Sequence, residues 1–303
     1  MKKIFISGVS SFTGMWFANT LSSNKFKVHG SLTRLKSNYV NIENKRLNNL
    51  NSKIFLHENV TYNSNKIIEL IKLHKFDFFH FHGCYTKNYN ADNFNLYRAN
   101  YTNNYNLKKI IQALKYNNCR RLIYTGTIYE KNEGTNNKSN EAITDYGISK
   151  SITFNKIKYY CSKYQLPLLK IVIPNPFGEY ESERFNYYLF TSWNRNEIPK
   201  VNYPKYIRDN IYIEDIAYKY LEELKKINIK SFYKIRPTGF SCNVLDFTKI
   251  LKEQYELYHK VRVKFEINNS LEHKLQIKRV NGKNNNYFLS NKRWSKYFQY
   301  YSY

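Results

Sequence analysis

The sequence predicts a doubly wound α/β fold, a parallel sheet with helices on both faces, joined to a smaller α+β unit towards the C-terminal end. Three observations carry that prediction. Short apolar runs alternate with stretches of helical period up to Pro174, a glycine-bearing turn joins the first run to the first helical stretch, and the alternation breaks at Pro174, where Pro, Asn, Gly and aromatic residues crowd together. Strands that alternate with helices in this way form βαβ units with parallel strands. Residues 4–7, 76–81, 121–124 and 168–173 read as buried strands, and 15–21, 66–73, 107–115 and 146–163 as helices between them. A second strand leads into Val28-His29-Gly30-Ser31-Leu32-Thr33-Arg34-Leu35-Lys36. Residues 213–225 read as a helix packing back on the sheet. In 260–267, Val261, Val263, Phe265 and Ile267 alternate with polar residues, the pattern of a half-buried strand outside the parallel core. The Asn-rich stretch 131–140 reads as a surface loop. The larger domain comprises 1–174 plus about 211–240, and the smaller one about 175–210 plus 241–303.

A chain of 303 residues has room for about two domains. At 42% hydrophobic and 24% charged residues it can bury a core, which excludes a disordered chain. Lys and Arg number 49 against 23 Asp and Glu, a formal charge of +26. That balance fits polyanionic partners: nucleic acid, anionic lipid or phosphorylated ligands. Yet the basic residues are spread out, without the runs that mark a binding tail. Lys, Asn, Tyr, Ile and Phe are enriched together, as an AT-rich coding sequence would give. Compositional drift is the preferred reading, and no specific nucleic-acid partner is expected. Cys84, Cys119, Cys161 and Cys242 lie far apart and form no CxxC pair, so neither a metal site nor a disulfide framework is indicated and a reduced, cytoplasmic setting is expected. No apolar run reaches membrane-spanning length. The apolar start Ile4-Phe5-Ile6 stops at Ser7-Gly8, too short for a signal peptide core.

Gly8-Val9-Ser10-Ser11-Phe12-Thr13-Gly14 follows the first strand and opens a helix. Glycines at such a turn let the backbone approach a pyrophosphate at the helix N-terminus, although Ser11 stands where a middle glycine is usual. An acid at the end of the second strand would bind the ribose of NAD, whereas arginine accommodates the extra phosphate of NADP. Here Arg34 is present and no acid occurs before Glu43, so NADP(H) is expected, with NAD(H) as the alternative. Tyr146-Gly147-Ile148-Ser149-Lys150 sets a phenol and an ammonium four residues apart on one helix face. A neighbouring cation would stabilise the phenolate and lower the tyrosine pKa. The preceding strand ends Tyr124-Thr125-Gly126-Thr127, placing hydroxyls at the crevice beyond the carboxyl ends of the sheet.

With these segments in order, the chain resembles the extended short-chain dehydrogenase/reductase family, especially its nucleotide-sugar epimerases, dehydratases and reductases. His80-Phe81-His82-Gly83 is similar to the family's HLAG-like segment, and Asn100 with Asn106-Leu107 to its NVxGTxNLL helix, Asn103-Asn104 replacing Gly-Thr. Thr125 precedes Tyr129 by four residues, as the family's Ser/Thr precedes its VYG tyrosine. Asn175-Pro176-Phe177-Gly178 resembles NxYGP, and Arg208-Asp209-Asn210-Ile211-Tyr212-Ile213-Glu214-Asp215-Ile216-Ala217 resembles RDFxxVxDxA. The resemblance implies a Rossmann domain, a sugar domain and a homodimer. It implies Thr125, Tyr146 and Lys150 as catalytic residues. Cofactor contacts are implied at Gly8, Ser10, Ser11, Phe12, Gly14, Arg34, Glu58, His82 and Gly83, besides Tyr146 and Lys150. A nucleotide-diphosphate sugar would meet Thr127, Asn175, Arg208 and Arg279, the last in a degraded motif. His80 and His82 read as packed strand residues beside the cofactor, and no metal ligand is expected.

Departures from the family narrow the reaction. Gly126-Thr127 follows Thr125 where a 4,6-dehydratase carries an acid, and Thr127 and Tyr180 occupy the Cys and His positions of 3,5-epimerising reductases. Hydride chemistry at one sugar carbon remains: a 4-ketoreductase, favoured by the NADP expectation, or a 4-epimerase. From another class, a non-catalytic NADP- or RNA-binding module on the same fold would suit the positive charge and the aromatics.

Overall fold

A computed structural model describes residues 1–89, 93–134, 140–226, 230–268, 278–282 and 286–302. The elements run β1 (Lys3–Ser7), α1 (Phe12–Ser23), β2 (Lys27–Ser31), α2 (Asn41–Asn48), β3 (Phe55–His57), α3 (Asn65–His74), β4 (Phe78–Phe81), α4 (Leu96–Asn104), α5 (Leu107–Tyr116), β5 (Arg121–Thr127), α6 (Asp145–Lys163) and β6 (Leu168–Ile173). They continue with β7 (Asn175–Phe177), α7 (Phe185–Asn194), β8 (Lys200–Asn202), β9 (Ile207–Tyr212), α8 (Ile213–Lys225), β10 (Phe232–Ile235), β11 (Phe240–Asn243), α9 (Val244–His259), β12 (Glu266–Asn268), β13 (Lys278–Arg279) and α10 (Asn291–Tyr301).

Seven strands form one parallel sheet in the order β10-β6-β5-β4-β1-β2-β3, a Rossmann arrangement whose direction of winding reverses between β1 and β4. Alternation along β1 sends Ile4 and Ile6 to one face and Phe5 to the other. The first face packs Phe17, Ala18 and Leu21 of α1 with Ile216 and Tyr220 of α8. The opposite face packs Ile67 and Ile71 of α3, Ile110 and Leu114 of α5, and Ile157 of α6. The helix expected at 213–225 therefore does return to the sheet, and β10 follows it onto the edge beside β6.

A second sheet brings β7, β11 and β13 to β9, with β11 antiparallel, and β12 pairs separately with β8. Phe177, Phe190, Trp193, Tyr212, Phe247, Leu251, Trp294 and Tyr297 form the core around them.

The alternating stretch 260–267 does not form the expected strand. Only Glu266–Asn268 pairs, Val261 and Ile267 are exposed, and only Val263 and Phe265 pack against the core. The cause is local: Lys260 ends α9 in the left-handed region, and Val263 N–H donates to the Glu256 carboxylate at 2.9 Å, which diverts it from any ladder. The Asn-rich loop is also corrected where it is described. Glu133 and Gly134 are buried, because Lys170 on β6 holds Glu130 at 2.6 Å and Glu133 at 3.0 Å; residues 135–139 lie outside the described residues. Two strand bounds move as well: β4 starts at Phe78 rather than 76, and β5 runs on to Thr127.

Candidate active site

A cleft of about 530 Å³ opens along the carboxyl ends of β1, β2, β4 and β5. Its floor is the turn from β1 to α1, where Gly8 takes φ +72°, a conformation glycine adopts without steric cost. A Cβ on Gly14 would meet the Gly8 carbonyl oxygen at 2.5 Å, so the turn closes only without one. Ser11 caps α1: its Oγ accepts from Gly14 N–H at 3.2 Å and donates to the Gly8 carbonyl at 2.9 Å. The serine in the middle glycine's place thus stiffens the turn. Gly8, Ser10, Ser11, Phe12 and Gly83 all reach the cleft wall, whereas Gly14 lies buried beneath it. This Cβ-free cradle at a helix N-terminus fits a dinucleotide pyrophosphate.

Beneath the turn, His82 bridges two parts of the site. Its Nε2 lies 2.9 Å from Ser11 Oγ and 3.2 Å from Thr13 Oγ1, and its Nδ1 lies 2.9 Å from Thr125 Oγ1. His80 Nε2 reaches the same Thr125 hydroxyl at 2.7 Å. Burial holds both imidazoles neutral, His82 at about 3 and His80 well below the usual histidine range. A hydroxyl offers one proton and two acceptor positions. With His80 Nε2–H and His82 Nδ1–H both donating, Thr125 keeps its own proton for the cleft and Thr13 O–H donates to His82 Nε2; with the His82 proton on Nε2 instead, that nitrogen donates to Ser11 Oγ and the Thr125 hydroxyl donates to His82 Nδ1.

Tyr146 and Lys150 stand on α6, whose N-terminus is capped by Thr144 Oγ1 accepting from Gly147 N–H at 3.0 Å. Both line the cleft with Thr125. A Cβ on Gly147 would lie 2.2 Å from the Tyr129 carbonyl, so this glycine seats α6 against the loop after β5. The expected lowering of the tyrosine pKa is not found. Burial, with Cys84 against the phenol, raises Tyr146 well above its ordinary range. The Lys150 ammonium donates instead to the Thr125 carbonyl at 2.6 Å, lies 3.8 Å from Cys84 Sγ and sits over the Tyr124 ring at 4.4 Å.

Further along, Arg34 lies over the Tyr39 ring at 4.2 Å and forms an ion pair with Glu43, and all three line the cleft. Glu58 is exposed beyond the end of β3 and does not line it. Two cations that no motif marked do: Arg46 and Arg184. Arg46 is held by the Tyr180 carbonyl at 2.8 Å and Ser182 Oγ at 3.1 Å, and Arg184 by the Tyr89 hydroxyl at 2.5 Å. Neither has a local signal in the sequence: the loop after β7 brings Tyr180 and Ser182 to Arg46, and Arg184, at the end of that loop, meets Tyr89 from beyond β4.

The expected substrate residues divide. Thr127 and Asn175 line the cleft, and Asn175 Nδ2 donates to Asn210 Oδ1 at 2.5 Å. Thr127 N–H donates to Glu130 at 2.7 Å, whose carboxylate is itself buried on Lys170 and does not face the cleft. Arg279 is not at the site: it is fully buried, and its guanidinium donates to the carbonyls of Glu133 at 2.8 Å, Glu141 at 3.2 Å and Ile128 at 3.4 Å. Arg208 sits behind Tyr129, with Nη1 on the Ile207 carbonyl and Nη2 without a partner among the described residues; burial brings it down to about 9.

The profile of the NAD dependent epimerase/dehydratase family matches residues 4–232. Among solved structures, the chain is similar to UDP-N-acetylglucosamine 4-epimerase from Methanobrevibacter ruminantium M1 in complex with UDP-N-acetylmuramic acid (16% identity, 99% of this chain and 98% of that one, TM-score 0.76). It is similar to UDP-glucose 4-epimerase from Thermotoga maritima with UDP-glucose (16%, 99% and 98%, 0.75). It is also similar to the Bordetella bronchiseptica enzyme WbmH in complex with NAD+ (18%, 99% and 98%, 0.71). No curated protein sequence matches.

Proposed function

The chain belongs to the NAD dependent epimerase/dehydratase family, and from that premise we propose that it moves hydride at one carbon of a nucleotide-diphosphate sugar, foremost as a 4-ketoreductase. The observation that carries the reading is the meeting of Thr125, Tyr146 and Lys150 in the cleft that begins at the glycine turn. A nicotinamide dinucleotide, when bound, supplies the hydride donor or acceptor. Gly8, Ser10, Ser11 and Phe12 would hold its phosphates at the N-terminus of α1. Tyr146, kept protonated by burial, is set to give its proton to a sugar carbonyl oxygen, and Thr125 O–H to hold that oxygen. Lys150 would fix the Thr125 backbone and add positive charge beside the reacting oxygen. Arg46, Arg184 and Arg34 would counter the phosphates, since Glu43 is the single acid among the described residues lining the cleft. Among the described residues no carboxylate near Thr127 faces the cleft, which argues against dehydration.

A second reading is a 4-epimerase that recycles NAD. The Arg34–Glu43 pair favours it, because Glu43 both occupies the arginine and offers ribose hydroxyls an acceptor. Solved proteins of this fold that carry 4-epimerase names point the same way. An exposed pair is weak enough for a 2′-phosphate to displace it, so NADP stays the expected cofactor. The test incubates the protein with UDP-sugars and their 4-keto derivatives, with NADPH, NADH or neither, and reads products by mass spectrometry. Net NADPH consumption on a 4-keto sugar supports the reductase. Isomerised UDP-sugar without reductant establishes the epimerase, and no conversion of any of them sinks both.

A further inference from the structure

We propose that His29, His57 and His74 form a binding site for a transition-metal dication of the zinc type, separate from the cleft. The fold assembles it. β2 and β3 pair His29 with Phe55, so His57, two residues on, lies on the same face of the sheet. His74 is the last residue of α3, which packs on that face. One ring nitrogen from each histidine lies within 4.8 Å of the others. His29 Nδ1 and His57 Nε2 are 2.9 Å apart and share a single proton.

Tetrahedral zinc takes imidazole nitrogens at about 2.0–2.1 Å, which needs the pair to open only by a few tenths of an ångström. His29 is the buried member; the Nδ1 that faces His57 is its ligand atom, and its Nε2, which has no partner among the described residues, stays outside the site. Phe55 and Phe76 wall it at 5.0 and 5.1 Å. The ligand set is three imidazoles, since the group contains no carboxylate or thiolate, and imidazole suits zinc, copper and nickel rather than magnesium or calcium. Water or a small anion would complete four-coordination at the two partly exposed histidines. Lys3 and Lys27 oppose a cation here, whereas the carboxyl end of α3, where His74 sits, favours one. None of the three histidines lines the cleft, so the site stands or falls independently of the proposed reaction.

The test is calorimetric titration of the metal-free full chain with Zn²⁺ alone. One equivalent should bind, and His74→Ala and His57→Ala should each weaken it by more than the roughly 10–100-fold that losing an outer partner of a metal site brings. Both are partly exposed positions, and circular dichroism checks their folding. A measurement that needs no variant uses Cu²⁺ on the wild-type chain, whose electron paramagnetic resonance should show hyperfine coupling to imidazole nitrogens. No binding, equal binding in both folded variants, or a Cu²⁺ signal without nitrogen coupling would each overturn the proposal.

Discussion

Two pairs of arginines divide the molecule. Arg46 and Arg184 stand on the wall of the cleft, each held by one or two neutral oxygens, and no acceptor among the described residues takes Arg46 Nη1. Arg279 lies behind the cleft with Nη1 and Nη2 on three main-chain carbonyls, and Arg208 is buried with Nη1 on the Ile207 carbonyl and its guanidinium over the Tyr206 ring. The first pair can meet an anion at little reorganisation. Arg279 would have to abandon carbonyls that no other side chain among the described residues serves, so it braces the loop after β5 instead. A guanidinium's function follows from where its donors already point, and a motif does not record that.

The largest effect that would sharpen this division comes from the reacting group between the pairs. Tyr146→Phe removes one hydroxyl, and turnover should fall by about 10²–10⁴-fold, the usual contribution of a positioned acid, while fluorescence titration shows dinucleotide binding unchanged. Full activity in this variant would leave the fold without the chemistry. Arg279→Met should next cost about 3 kcal/mol or more in urea unfolding, because each of three carbonyls left without a donor costs about 1–3 kcal/mol. KM for the sugar should not move; a raised KM with unaltered stability would return Arg279 to the substrate. Arg184→Ala should reverse that pattern, raising KM about 10-fold or more through a lost charge-assisted contact and leaving the unfolding midpoint in place.

The smallest effect concerns pH. His82 is held at about 3 in the folded protein, below its ordinary 6.5. The unfolded chain therefore binds the proton first, and the stability that neutral His82 contributes is complete above about 6.5 and lost as pH falls towards 3. The slope is at most about 1.4 kcal/mol per pH unit for one histidine. Glu181, raised to about 7 by burial, acts in the opposite sense, its contribution being lost as pH rises through 7. The difference between wild type and His82→Asn across pH 5–6.5 isolates the histidine, and parallel curves would exclude a buried neutral His82.

The sheet was legible because its signals are local. Residues 168–173 read as a strand and form one, since six consecutive apolar or aliphatic-stemmed residues between a helix and a proline have few alternatives. The glycine turn and the Tyr146–Lys150 spacing were legible for the same reason, as backbone geometry and helical period act within a few residues. What escaped was set by distant partners. Val263 has the alternation of a strand, yet Glu256 takes its N–H. Lys150 has the spacing to support the phenol, yet the Thr125 carbonyl holds its ammonium. His80 and His82 read as packed strand residues, but their joint grip on Thr125 depends on β4 and β5 lying side by side.

The last strand of the parallel sheet has a consequence for synthesis. β10 is made only after β7, α7, β8, β9 and α8, so the growing chain carries an open β6 edge while β7 and β9, the first two strands of the second sheet, are being translated. An unpaired edge is a template for wrong pairing, and elongation at about 5–20 residues per second gives it seconds of exposure. Until Lys234 and Arg236 emerge, Glu130 and Glu133 share Lys170 alone. An excess negative charge is then held at that edge, and this discourages its burial against another strand before β10 arrives.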